Sequence, residues 1–464
     1  MNKEYDVLIV GAGFGGIQAA LSLDKKNLNV CVIDEGVLPG GQFIRYNKNG
    51  NNGNTPPSYS KGLALVKEFN ESSITYLNQS ELIFINMDKE IIVKLKDDSL
   101  KKIKPKKIIL ATGAREIIQP FKGWDLPGII TTGALQILLK TSGKLFADEV
   151  TIAGCGILPY AAAATWFEKG GRIKAFYDSN NFSQKLSMLG SALKSSDKRA
   201  DFFSLLPKMI KLQKNTINNT KVIEAKGNGK LESIILAKVD ALGNIIKGSE
   251  FEEKTTLLAM GEGLSANVEV ATTAGCETMY DENLGGLIIK VNEFLETSIS
   301  GIYTIGASTG VGGADKAQLE AKIAASDVLF SLGKMQKNEH NSSLNILLAK
   351  RKKMLDFSRL LASMQKFNLN ELNNIDDSTV ICRCENISVK EIKDAIDNGS
   401  TSINSIKKRT RAGMGNCQGK TCSELVRNIL LAKGFKDEEA SKARPPLRPT
   451  SINILASEIK FLAI

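Results

Sequence analysis

The chain has 464 residues, 42% of them hydrophobic and 24% charged, with a net charge of +11, the balance of a globular protein of two or three domains. It holds no apolar run of the roughly 18 residues a membrane span needs, and MNKEYDVLIVGAG enters an apolar strand at once, without a basic leader, so a cytoplasmic protein is expected. The Lys and Arg residues are spread along the chain without interleaved aromatics, which favours a solvated basic surface over nucleic-acid binding, and a single histidine, His340, leaves any chemistry to cofactors.

YDVLIVGAGFGGIQAALSLDKKNLNVCVIDEG (5–36) reads as apolar strand, glycine turn, helix and second apolar strand. Gly11, Gly13 and Gly16 occupy the G-x-G-x-x-G positions: the first for a tight turn, the second for close approach of a pyrophosphate, the third for helix–strand packing. The phosphates would meet the helix N-terminus near Phe14. Asp34 ends the second strand, where a carboxylate can accept ribose hydroxyls, and Glu35 is its neighbour. Next comes IILATGAREIIQPFKGWDLPGIITTGALQ (108–136), in which Ala111, Thr112 and Gly113 form a small-residue crossing point beside a bound cofactor.

A second strand–turn–helix–strand follows in EVTIAGCGILPYAAAATWFEKGGRIKAFYD (149–178), with Gly154, Gly156 and a terminal acid, Asp178. Pro159 stands in place of the third glycine, which a first helical turn tolerates. The acid favours NAD or another adenine nucleotide over a phosphorylated ribose, and an empty fold is the alternative. A strand at 302–305, a turn from Gly306 and a helix return the chain to the first unit. Residues 331–377 read as a polar-ended linker with helical periodicity between Leu347 and Leu361.

The last region gathers four of the seven cysteines: Cys382 and Cys384 as C-x-C, then Cys417 and Cys422 as C-x4-C. Between them, SVKEIKDAIDNG carries Ser388 and Glu391 in capping-box positions and Gly399 as a stop. SINSIKKRT begins a second helix, and a glycine loop leads into a third. Zinc sites usually have wider pairs. An all-cysteine [2Fe-2S] cluster needs four thiolates and nearby N–H donors, which Gly413, Gly415 and Gly419 can bring close, so iron–sulfur is preferred over zinc or buried thiols. Cys31, Cys155 and Cys276 read as isolated buried residues.

Taken together, PGGQFIR (39–45), the ATGARE crossing, AGCGILP and the cysteine stretch resemble the A (alpha) subunit of heteromeric amine and imino-acid dehydrogenases. That family includes opine oxidases, hydrogen cyanide synthase and hydroxyproline dehydrogenases. The cysteine region is similar to bacterioferritin-associated ferredoxin domains. The resemblance implies an α/β fold of two nested Rossmann-like dinucleotide-binding domains. A FAD-type unit would span 1–135 and 266–330 and an NAD-type unit 136–265. The linker at 331–377, a helical [2Fe-2S] domain at 378–435 and a tail at 436–464 would follow. It also implies FAD contacts at Gln42, Thr112, Gly113 and Gly306, a FAD-containing beta subunit that oxidises the C–N bond of an amino or imino acid, and an FMN site at the subunit interface. Two departures stand out. Ala307 replaces an aspartate that holds the flavin's ribityl-phosphate region, and Ala321 replaces a glycine beside the flavin ring. FAD or another adenine nucleotide therefore remain the alternatives at the first site.

Overall fold

The computed structural model describes residues 4–45, 57–180, 212–363, 368–436 and 439–456. Its frame is two five-stranded parallel sheets. The first has the order Ile302–Thr304, Lys107–Leu110, Val7–Val10, Val30–Ile33, Thr75–Leu77. Its inner strands are continuous apolar runs because both faces are covered, one by helices and the other by the antiparallel sheet of Glu81–Ile85, Ile91–Lys94 and Leu100–Ile103. The helices Phe14–Asp24 and Gly313–Ser331 pack together on one face, around Ile17, Leu23, Ile323 and Val328.

The second sheet repeats the plan, with Thr216–Asn218, Arg172–Asp178, Glu149–Gly154, Leu258–Gly261 and Ile129–Thr131 in order. In each sheet the strand order reverses at the strand that feeds the glycine turn. The crevice beyond its carboxyl end is therefore where an α/β sheet takes a ligand. Two short strands, Ala114–Glu116 and Leu264–Ala266, pair antiparallel and carry the chain between the units. Ile129–Thr131, read from the sequence as part of the first unit, pairs with Leu258–Met260 instead, so the crossing lies upstream of residue 135.

The linker helix Lys337–Ser363 lies on Gly313–Ser331, with Leu344 buried in the first core and Leu347, Leu348 and Met354 packed against it. His340 stacks on Phe330 at 4.7 Å between ring centroids. The cysteine region forms the three expected helices, Val389–Asp397, Ile403–Thr410 and Ser423–Ala432. The first is closed by the Ser388–Glu391 capping box and stopped at Gly399 with φ +90°.

This region is not a detached module. Ile381, Ile392, Ile406 and Leu430 share one core with Trp124, Val222, Ile234 and Leu258 of the second nucleotide unit. Trp124 Nε1 donates to the Val380 carbonyl at 2.6 Å, and the Arg383 guanidinium lies 5.5 Å over the Trp124 ring. Among the described residues no helix is long and apolar enough to cross a membrane.

Candidate nucleotide and cluster sites

At the first glycine turn, Gly11 has φ +106° and its missing Cβ would lie 2.4 Å from the Ala111 carbonyl oxygen. A Cβ on Gly16 would lie 1.8 Å from the Gly11 carbonyl oxygen. Both glycines are thus required by the fold itself. Gly13 is different: a Cβ there would meet nothing within 4 Å. Its openness is the space a pyrophosphate needs in front of the helix N-terminus.

Asp34 is part-buried at the end of its strand. Its two oxygens accept from the N–H groups of Ala12 and Gly36, each at 2.6 Å, and burial holds its pKa above the ordinary value. It braces the turn while keeping lone pairs for a ribose. Glu35 pairs with Arg448, which approaches from the C-terminal segment. Gln42 is exposed and accepts from Arg45 Nε at 3.1 Å. Thr112 Oγ1 donates to the Asn267 carbonyl at 2.7 Å, and Gly113, with φ +70°, accepts from the Asn267 N–H. These bonds lock the two crossing chains together at the mouth of the crevice.

The turn that follows Ile302–Thr304 holds a buried polar network that the sequence did not announce. Gly306 donates its N–H to Glu320 at 2.8 Å, and its carbonyl accepts from Lys316 Nζ at 2.8 Å. Lys316 also reaches Glu320 at 3.0 Å, and Arg351 from the linker helix donates to the same carboxylate at 2.9 Å. Burial alone would raise the Glu320 pKa, but these two cations and the Thr309 hydroxyl hold it below the ordinary value. Both backbone groups of Gly306 are therefore already engaged. No carboxylate is available at position 307 for a ribityl chain, whereas the adenosine–pyrophosphate half of the site fits.

The second glycine turn is built alike but finished differently. Gly154, at φ +136°, would place a Cβ 1.9 Å from the Gly261 carbonyl oxygen, and Gly156 at φ +79° precedes the helix Ile157–Glu168. Asp178 is fully buried. One oxygen accepts from Tyr160 Oη at 2.5 Å and the other from the Asn180 N–H at 2.8 Å. Cys155 lies beside the buried Glu262, and burial raises the pKa of both groups. The acid assigned to a ribose is here an internal acceptor, and the buried Glu262 carboxylate accepts from the Gln119 N–H at 2.5 Å.

The four distal cysteines converge. Cys382 and Cys422 are buried and hydrogen-bonded to each other; Cys384 and Cys417 form a second contacting pair nearer the surface. A bond from the Cys422 thiol, then N–H groups of Gly413, Glu385 and Cys384, push the Cys382 thiol down to about 6 against the effect of burial. Burial raises the Cys417 thiol, but N–H groups of Thr421 and Gly419 and the Cys384 thiol outweigh it and lower its pKa. Gly415 permits the close approach, since a Cβ there would lie 2.3 Å from Cys384 Cβ. Among the described residues no three ligand-type side chains are gathered for a single ion. Two thiol pairs ringed by N–H donors instead suit a binuclear cluster that takes two thiolates per iron.

The cysteine loop is docked on the crossing. Arg115 donates through Nη1 to the Lys420 carbonyl at 2.9 Å, through Nε to Asn267 Oδ1 at 2.6 Å, and pairs with Glu269. A cavity of about 490 Å³ lies in this angle, bordered by Gln42 and Thr112 on one side and by Arg383 and Thr421 on the other.

Residues 5–324 match the model of the pyridine nucleotide-disulphide oxidoreductase family, and residues 380–432 match the BFD-like [2Fe-2S] binding domain. The A subunit of opine oxidase from Rhizobium meliloti is 28% identical over 98% of this chain and 88% of its own length. Hydrogen cyanide synthase subunit HcnB of Pseudomonas aeruginosa is 26% identical over 95% of this chain and 96% of its own. Among solved structures, L-proline dehydrogenase from P. horikoshii shares the fold with a TM-score of 0.71 at 20% identity, covering 98% of this chain and 79% of that one. The chain is thus similar along nearly its whole length to subunits of flavin-type oxidoreductases, as its motifs led us to expect. It belongs to the pyridine nucleotide-disulphide oxidoreductase family and carries a BFD-like [2Fe-2S] binding domain behind the nucleotide folds.

Proposed function

We propose that this chain is the electron-transferring subunit of a heteromeric flavin-dependent dehydrogenase that oxidises the C–N bond of an amino or imino acid. In this reading a FAD-containing beta subunit holds the substrate. The observation that carries it is the pairing of Cys382 with Cys422 and of Cys384 with Cys417, on a loop anchored by Arg115 at the mouth of the first nucleotide crevice. The four thiols would hold a [2Fe-2S] cluster, which accepts and releases one electron at a time. The first fold would take the adenosine–pyrophosphate half of FAD or another adenine nucleotide, on Gly13 and Asp34. Two relatives that are themselves named as subunits, one of opine oxidase and one of hydrogen cyanide synthase, support a dependence on partner chains.

A substrate pocket for C–N oxidation needs a cation for the carboxylate over an open flavin face. Here Lys316 and Arg351 are both paired with the buried Glu320 and so are not open cations for a carboxylate, which weighs against substrate oxidation within this chain. The engagement of Asp178 by Tyr160 and Asn180 likewise weighs against a stand-alone NADH-driven reductase. The test is to purify the chain alone, with full cofactor content, and assay proline, hydroxyproline, glycine, sarcosine and opines with a dye acceptor. We expect no turnover until a flavoprotein partner is coexpressed. Turnover by the isolated chain would overturn the subunit reading.

A further inference from the structure

The C-terminal segment runs as a strap from the cysteine domain to the first nucleotide fold. It leaves the cysteine domain held by Arg427 on the Glu439 carbonyl at 2.5 Å, Asn404 on the Ala440 carbonyl at 3.1 Å and Lys407 on the Lys442 carbonyl at 2.8 Å. It then buries Ala440 and Leu447 in the core that holds Val10 and Ile33, and the Leu447 N–H donates to the Ile83 carbonyl at 2.9 Å. The next residue, Arg448, pairs with Glu35, one position beyond the ribose-facing Asp34.

Three cations from outside the fold, Arg383, Lys420 and Arg448, line the cavity beside its crevice, and Arg383 is engaged over the Trp124 ring. Glu35, Gln42, Thr112, Lys420 and Arg448 line the same 490 Å³ cavity. Arg115, a cation that the crossing strand supplies there, already donates to Asn267, Glu269 and the Lys420 carbonyl. A pyrophosphate in front of Gly13 would meet the positive end of the Phe14–Asp24 helix on one side. Its remaining charge calls for cations on the cavity side. Arg448 can supply one: its Nε and Nη2 bind Glu35 and its Nη1 donates to the Leu447 carbonyl at 2.9 Å, which leaves two of the five N–H donors of a 19% exposed side chain for a phosphate oxygen.

We propose that Arg448 and Lys420 complete the phosphate site of the first nucleotide fold, clamping a bound adenine nucleotide between that fold and the cysteine domain. The inference rests on the first fold holding such a nucleotide. Glu35 then acts as a positioning residue that aims Arg448 across the crevice. Ligand binding and seating of the strap become one equilibrium, because the strap carries a binding residue and is pinned on both sides of the cavity.

The experiment uses the full-length, cluster-loaded protein and ADP as the probe, titrated calorimetrically. Arg448→Ala is expected to weaken ADP binding about tenfold or more, with Arg448→Lys in between and the difference shrinking as salt rises. Cluster absorbance equal to wild type shows that the variant is folded. Bound ADP is also expected to slow amide hydrogen exchange at Leu447 in the wild type, a change that a merely structural ion pair with Glu35 would not give. If Arg448→Ala binds ADP like wild type while Gly13→Val does not bind, the clamp is refuted and the nucleotide reading of the first fold survives. If the wild type itself binds no ADP, both fall together.

Discussion

The two nucleotide folds are built on one plan and differ in what their terminal acids face. Asp34 is braced by two backbone N–H groups and stands beside an open crevice, with Gly13 unobstructed in front of it. Asp178 is sealed by a tyrosine from the very helix whose N-terminus would bind the phosphates. The strand–turn–helix pattern therefore reports the fold in both places, while the acids differ in their partners, two backbone N–H groups at Asp34 and a tyrosine hydroxyl with one N–H at Asp178. The second fold also has an architectural role: Trp124 and the core around Ile234 carry the cysteine domain.

The turn glycines sharpen the point that both folds need the same backbone. Gly11→Ala and Gly154→Ala should each destabilise the protein by about 3–5 kcal/mol, since left-handed strain adds to overlap with a buried carbonyl. Denaturant titration would check this, and an Ala at 154 that costs nothing would break the structural reading of the second turn. The first fold has a buried charge network behind its late strand. Glu320→Gln leaves Lys316 and Arg351 without their carboxylate and should cost about 3 kcal/mol. Because Glu320 is held below the ordinary value, its contribution is complete above the usual glutamate range of about 4.3 and is lost as pH falls through its lower folded pKa. The thermal midpoints of wild type and variant should therefore converge in acid. The smallest effect is expected at Tyr160→Phe, about 1–2 kcal/mol for the lost hydrogen bond to a buried carboxylate.

What the sequence made legible was local. Gly11, Gly13, Gly16 and Asp34 fall within one strand–turn–helix–strand, and the Ser388–Glu391 box spans a single turn, so spacing alone placed them. The cysteine pairs were legible as ligands, although which thiol meets which depends on how two loops close. The rest lay in long-range partners. Ala307 signalled a missing carboxylate, but nothing nearby indicated that Arg351, on the linker helix, would reach Glu320 behind that turn. Tyr160 carries no local signal of its role, since only the sheet brings Asp178 beside it. Arg448 and Glu35 are 413 positions apart, and no periodicity connects a tail to a strand end at that distance.

The rigid mounting of the cysteine domain has a consequence for traffic. A cluster on a tethered arm can carry its electron to an acceptor by swinging. One set into a shared core, with Trp124 pinned to Val380 and Arg115 to Lys420, works instead as a fixed terminal. On the proposed electron-transfer reading, the acceptor would then have to travel to it and dock. Of the four thiols, Cys382 and Cys422 face inward and Cys384 is the exposed one, so the doorway for that visitor lies at the Cys384 edge, and the shape of the surface around it decides who is admitted.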